Sequence, residues 1–138
     1  MAECKNIMVY VETAEGNPVK VGLEMLSPAK KLADKVTAVV IGGGVADAAK
    51  EVAKAGADQV ICVDSEDYKE FNLDAYAQVL VELVKEENPE AVFVGGTQDG
   101  KDIAPVVAAK CNTGCASDVL DIKAEDGEVI YTCPLYGG

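Results

Sequence analysis

Histidine is absent from this chain of 138 residues. With it go the metal sites, triads and acid–base schemes that depend on an imidazole titrating near neutrality. Tryptophan is absent too and aromatic residues make up only 5% of the chain, so Val, Ala, Leu and Ile must fill the core. An aliphatic core of that kind suits parallel strands covered by helices on both faces. Basic residues are half as numerous as acidic ones, twelve against twenty-four, which gives a net charge of -12 and a pI near 4.3. Such a surface keeps a protein soluble and repels phosphate backbones, so nucleic acid is excluded as a partner. The opening Met1-Ala2-Glu3-Cys4-Lys5 lacks the apolar centre of a secretory signal. No apolar run approaches the roughly 18 residues that span a membrane. A cytoplasmic protein without a membrane span is expected.

Five cysteines, at positions 4, 62, 111, 115 and 133, are an odd count in a chain large enough to fold without disulfides, and reduced structural thiols are expected. The spacer between Cys111 and Cys115 has three residues, not the two of a thioredoxin-like pair. The many carboxylates are scattered along the chain without the pairing that glycosidic chemistry needs, and solvation accounts for them.

What is present is a regular alternation. Residues 6–12 are a short apolar run rich in strand formers, closed by the polar stretch 13–17. Residues 19–33 carry Val19, Leu23, Leu26, Ala29 and Leu32 at helical spacing. Pro28 lies inside that stripe and predicts a kink or a restart capped by Ser27. A β-branched run over 36–41 ends in Gly42-Gly43-Gly44, a turn cluster that lacks the third glycine of a dinucleotide fingerprint. A helix over 45–55 follows, stopped by Gly56, then a strand over 59–63 and an acidic loop over 64–72. Tyr76, Val79, Leu80, Leu83 and Val84 mark a helix over 73–87. A fourth strand over 91–94 runs into a loop, and the next helix is placed at 103–111 with Pro105 in its first turn. Two strand-like runs, 117–123 and 128–133, are joined through Asp126-Gly127, a hairpin turn signal. Four β-α units and a terminal hairpin predict one α/β domain: a three-layer, doubly wound, mostly parallel sheet with helices on both faces.

The loop over 95–102 is the strongest candidate site. It joins a strand end to a helix start, where backbone amides point outward and can hold an anion. Gly95, Gly96 and Gly100 permit close approach of a ligand or another backbone, Thr97 offers a hydroxyl, and Lys101 offers a cation. Asp102 is placed to cap the helix. Loops at the carboxyl ends of parallel strands are where such sheets bind ligands and partners.

These residues carry a resemblance. Gly95-Gly96-Thr97, two variable positions, then Gly100-Lys101-Asp102-Ile103-Ala104-Pro105 and Val107-Ala108-Ala109 looks like the signature stretch of the electron transfer flavoprotein alpha subunit. The opening strand ending in Glu12, Ala55-Gly56-Ala57, Ser117-Asp118-Val119 and Pro134-Leu135-Tyr136-Gly137-Gly138 fall in that family's order. Val106 and Cys133 stand where the family usually has arginine, which marks a divergent branch.

The resemblance implies a Rossmann-like domain similar to the adenine nucleotide alpha hydrolases. It makes residues 1–138 the N-terminal domain of an alpha subunit, without catalytic residues of its own and without the second, FAD-binding domain. It further implies a heterodimer with a beta subunit that holds AMP, and a dehydrogenase as electron donor. In that setting Gly95, Gly96, Thr97, Gly100, Lys101 and Asp102 would face the subunit junction or a nucleotide. The alternative is a stand-alone module similar to universal stress proteins, using the same loop for adenine nucleotides.

Overall fold

The computed structural model describes residues 4–87, 89, 91–95, 97–110, 118–120 and 130–134. Positions 4, 5, 21, 32, 91, 98, 101, 108, 118–120 and 130–134 are described by their backbone alone. The first strand, β1 (Cys4–Tyr10), shows why the sheet is buried on both sides. Successive side chains of a strand point to opposite faces. Ile7, Val9 and Val11 pack with Met25, Leu26, Ala29, Ala48 and Val52, whereas Met8 and Tyr10 pack with Tyr76, Leu80, Val84, Ile103 and Val107. Each face is therefore apolar, and each has its own pair of helices.

Two short strands, β2 (Thr13–Ala14) and β3 (Asn17–Pro18), form a tiny hairpin after β1. Its turn residues Glu15 and Gly16 both have positive φ, 53° and 82°, the pattern of a type I′ connection. The polar stretch 13–17, read from sequence as a mere strand boundary, is thus an ordered excursion. It closes where the Val19 amide donates to the Glu12 carbonyl at 2.8 Å.

Helix α1 (Lys20–Leu32) is continuous through Pro28, so no new helix starts at Ser27. Met25, Leu26 and Ala29, on either side of the proline, are all fully buried, so both halves of the helix are seated on the sheet. Gly22 lets the helix come close, since a Cβ there would lie 2.8 Å from Val11 Cγ1 and 3.1 Å from Val11 Cα. Strand β4 (Ala33–Gly42) begins directly after α1, three residues earlier than its β-branched run indicates. Helix α2 (Ala46–Lys54) and strand β5 (Gln59–Asp64) follow, with Gly56 at φ 121° just past the helix end as expected. A 3-10 turn, Glu66–Tyr68, gives the acidic loop local order.

Helix α3 (Leu73–Glu87) has the limits that its apolar stripe predicts. Its first turn is capped by Asn72, whose Oδ1 accepts from the Ala75 amide at 3.0 Å. Strand β6 (Ala91–Gly95), helix α4 (Gln98–Lys110), and strands β7 (Asp118–Leu120) and β8 (Ile130–Pro134) complete the described elements. The six-stranded sheet runs β5-β4-β1-β6-β8-β7. Its first four strands are parallel, while β8 is antiparallel to both β6 and β7. The predicted terminal hairpin is present as the β7–β8 pair. Its Asp126-Gly127 turn lies outside the described residues.

Among the described residues, no helix is long and apolar enough to cross a membrane, and no group of His, Cys, Asp and Glu could hold a metal ion.

Candidate functional site

From β1 the chain winds outward through β4 to β5, then returns across β1 to lay down β6 on the other side. The carboxyl ends of β1 and β6 therefore diverge at a topological switch point, where open α/β sheets form their binding crevice. Among the described residues, one side-chain hydrogen bond crosses that crevice. Thr97 Oγ1 donates to Glu12 Oε2 at 2.5 Å, joining residues 85 positions apart in sequence.

Thr97 has a second task. Its hydroxyl oxygen accepts from the Gly100 amide at 3.0 Å, the geometry of an N-cap on the third residue of a helix. The helix thus starts at Gln98, five residues before the sequence-based start. This corrects the role given to Asp102, which lies on an exposed part of the second helical turn instead of at the cap. Pro105 likewise sits in the middle of α4 and not in its first turn. The physical reason is Gly100. A Cβ at that position would fall far inside contact distance of the Gly95 carbonyl oxygen, and 3.1 Å from both the Gly95 carbonyl carbon and Val94 Cγ1. Glycine is there so that the helix can press against the strand end, not because the chain is looping.

Of the remaining sequence candidates, Gly95 is the buried last residue of β6, and the Lys101 backbone belongs to α4. Gly96 and the Lys101 side chain lie outside the described residues, as do the Cys111–Cys115 spacer and the last four residues. The structure brings Gly95, Thr97 and Gly100 together as one packed corner.

Beside this corner is a cavity of about 360 Å³, within the usual range for small-ligand pockets. Tyr10 and Glu12 from the end of β1, Ile41 to Gly44 from the end of β4, Phe71 and Tyr76 before and on α3, and Asp99 in the first turn of α4 all line it. The glycine cluster is part of its lining. The Gly44 amide donates to Asp64 Oδ1 at 2.7 Å, and a Cβ on Gly43 would meet Lys69 Cα and Cβ at 3.1 Å. Tyr76 is held by a hydrogen bond from its hydroxyl to the Tyr68 carbonyl and by an edge contact with Phe71, ring centroids 5.0 Å apart.

The electrostatics are acidic. Glu12 is only 9% exposed, and burial pushes its carboxyl above the ordinary carboxylate value; the Thr97 hydrogen bond pulls it back, and Asp99 adds to the rise. Burial, then Glu12, Tyr76 and Asp99, hold the Tyr10 hydroxyl protonated well beyond its usual range. Burial and Asp99 also raise Tyr76.

Sequence reasoning did not place Tyr10, Glu12, Phe71 or Tyr76 in a site, and it gave Asp99, inside the candidate loop over 95–102, no role of its own. Two weak signals were available: a carboxylate ending the first strand, and an acid in what proves to be the first turn of α4. The glycine cluster 42–44 was read as a turn alone.

A doubly wound domain with a crevice between its first and fourth parallel strands is one of the general architectures for nucleotide- and flavin-associated proteins. The particular family follows from sequence comparison. The family model for the electron transfer flavoprotein domain matches residues 7–138, and the chain belongs to that family. It is 37% identical to the electron transfer flavoprotein subunit alpha of Clostridium acetobutylicum, over 99% of this chain and 43% of that protein. It is 39% identical to the subunit of the same name from Syntrophomonas wolfei, over 94% of this chain and 41% of that protein. With the acryloyl-CoA reductase electron transfer subunit beta of Anaerotignum propionicum it shares 38% identity, over 97% of this chain and 44% of that protein. The chain spans less than half the length of these relatives. They are electron transfer subunits by name, which does not favour the stand-alone nucleotide module.

Proposed function

We propose that this chain acts in electron transfer as the N-terminal domain of an electron transfer flavoprotein alpha subunit. In this reading it orients a FAD-bearing domain and a beta subunit so that electrons pass from a dehydrogenase to an acceptor, and performs no catalysis itself. The observation that carries it is the family match over residues 7–138, together with alpha-subunit relatives aligned along nearly the whole chain.

The cavity chemistry bears on where cofactors sit. A FAD pyrophosphate or an AMP phosphate placed there would lie against Glu12 and Asp99, and the Gly100 and Gly44 amides are already engaged by Thr97 and Asp64. These residues do not fit a phosphate group. FAD is therefore assigned to sequence that the relatives have beyond the shared span, and AMP to the beta subunit. The turn of Gly95, Gly96, Thr97, Gly100, Lys101 and Asp102 is assigned to the junction with that subunit, as a rigid corner and not as a phosphate cradle.

Co-expression with a beta subunit of the family tests this. The expected result is a complex of one copy of each chain on size exclusion, disrupted by Asp102→Arg on the exposed side of α4. Failure to form any complex at micromolar concentration refutes the subunit reading.

A further inference from the structure

We propose that the switch-point cavity binds an organic cation, a guanidinium or primary ammonium group on a short alkyl stem. The inference is independent of the electron transfer role. Its first support is an unmatched buried polar group. Tyr10 is 2% exposed, lines the cavity, and senses Glu12, Tyr76 and Asp99, which line it too. Among the described residues its hydroxyl has no hydrogen-bond partner. Buried hydroxyls are seldom left so, because the desolvation is uncompensated.

The second support is the surrounding chemistry. Glu12 spends one carboxylate oxygen on Thr97 and leaves Oε1 without a hydrogen bond among the described residues. Asp99 and Glu15 share the lining, and among the described side chains Lys69 is the one cation that lines it with these three acids. A donor-only group that enters would donate hydrogen bonds to Tyr10 Oη and Glu12 Oε1 and neutralise part of the excess charge. Phe71 and Tyr76 add aromatic walls of the kind that attract cations. None of the twelve basic residues within residues 1–138 is an arginine, so a guanidinium there comes from outside these residues. The modest volume suits a side-chain-sized group. An anion meets the opposite conditions, as set out above.

The test is a titration of the isotopically labelled 138-residue chain with methylguanidinium chloride, followed by amide NMR. Saturable shifts are expected at Glu12, Thr13, Gly44 and Asp99, and none from sodium chloride or inorganic phosphate at equal concentration. Combining Glu12→Gln with Asp99→Asn should weaken binding at least about tenfold. Lys69→Ala, an exposed change that keeps the fold, should tighten it, which preserves the test if the double variant unfolds. Shifts that sodium chloride reproduces, phosphate binding at the same amides, or unchanged affinity in both variants would overturn the proposal. Two further ligands separate the sources. Tighter binding of a blocked Gly-Arg-Gly peptide than of agmatine places the cation on a polypeptide segment outside residues 1–138, and the reverse order places it on a small free molecule. Binding of neither overturns the site.

Discussion

Replacing Gly100 with alanine sets two physical effects against each other with opposite signs. In a solvent-exposed helix the change stabilises, because alanine is better than glycine by about 0.8–1.0 kcal/mol. Here Gly100 is buried, and its new Cβ would collide with the carbonyl of Gly95, a backbone group that cannot rotate aside. Relief requires the first turn of α4 to back away from β6. That movement breaks the 3.0 Å cap from the Gly100 amide to Thr97 and strains the Thr97 bond to Glu12. Overpacking against an unyielding neighbour costs about 1–3 kcal/mol, and loss of an N-cap about 1 kcal/mol more. After the propensity gain, a net loss of about 1–3 kcal/mol remains, or roughly 4–12 °C in Tm for a domain of this size. Urea and thermal melts followed by circular dichroism measure it. A variant that melts at or above the parent would show that α4 is not seated on the end of β6, and the corner on which the cleft depends would have to be redrawn.

Other outcomes follow from the same geometry. Thr97→Val removes both hydrogen bonds of that hydroxyl and should cost about 1–2 kcal/mol, while the Glu12 carboxyl, stripped of its donor, moves further up in an NMR pH titration; an unmoved Glu12 refutes the coupling. Because the folded state holds the Glu12 proton more tightly than the unfolded chain does, its contribution is full below the ordinary carboxylate value and is lost as pH rises through the raised one. Glu12→Gln should therefore melt higher than the parent at neutral pH, with the gap closing in acid; a gap of the opposite sign would contradict this. Asp58 runs the other way: its carboxyl is held low first by the Lys30 hydrogen bond at 2.7 Å and then by the Val36 amide at 2.8 Å. Asp58→Ala should cost no more than about 1 kcal/mol, given how exposed the pair is, and that cost should fade as pH falls through the lowered value.

Helix α3 and the four parallel strands were legible because their signals are local: an apolar stripe at i, i+3, i+4 and i+7, and short apolar runs bounded by turn signals, buried on both faces in all but the edge strand β5. The start of α4 was misread for an equally local reason. Gly100 and Asp102 have the composition of a loop, and only the approach of Gly95 explains a glycine inside the first helical turn. Only the 95–102 side of the cleft was legible, since the rest depends on Glu12 and Thr97 meeting across 85 positions. The small hairpin was hidden by Glu15, which stands at φ 53° where Asn or Asp is the common signal.

The direct passage from Leu32 in α1 to Ala33 in β4 leaves no slack in the polypeptide. One added residue at that joint could not be absorbed as a bulging connector. It would either rotate the helix by about 100° or slide the strand by one place, exchanging Val36, Ala38 and Val40 with Thr37, Val39 and Ile41 between the two faces. Length variation among related chains should therefore be tolerated at 13–18 and 64–72 and forbidden at 32–33.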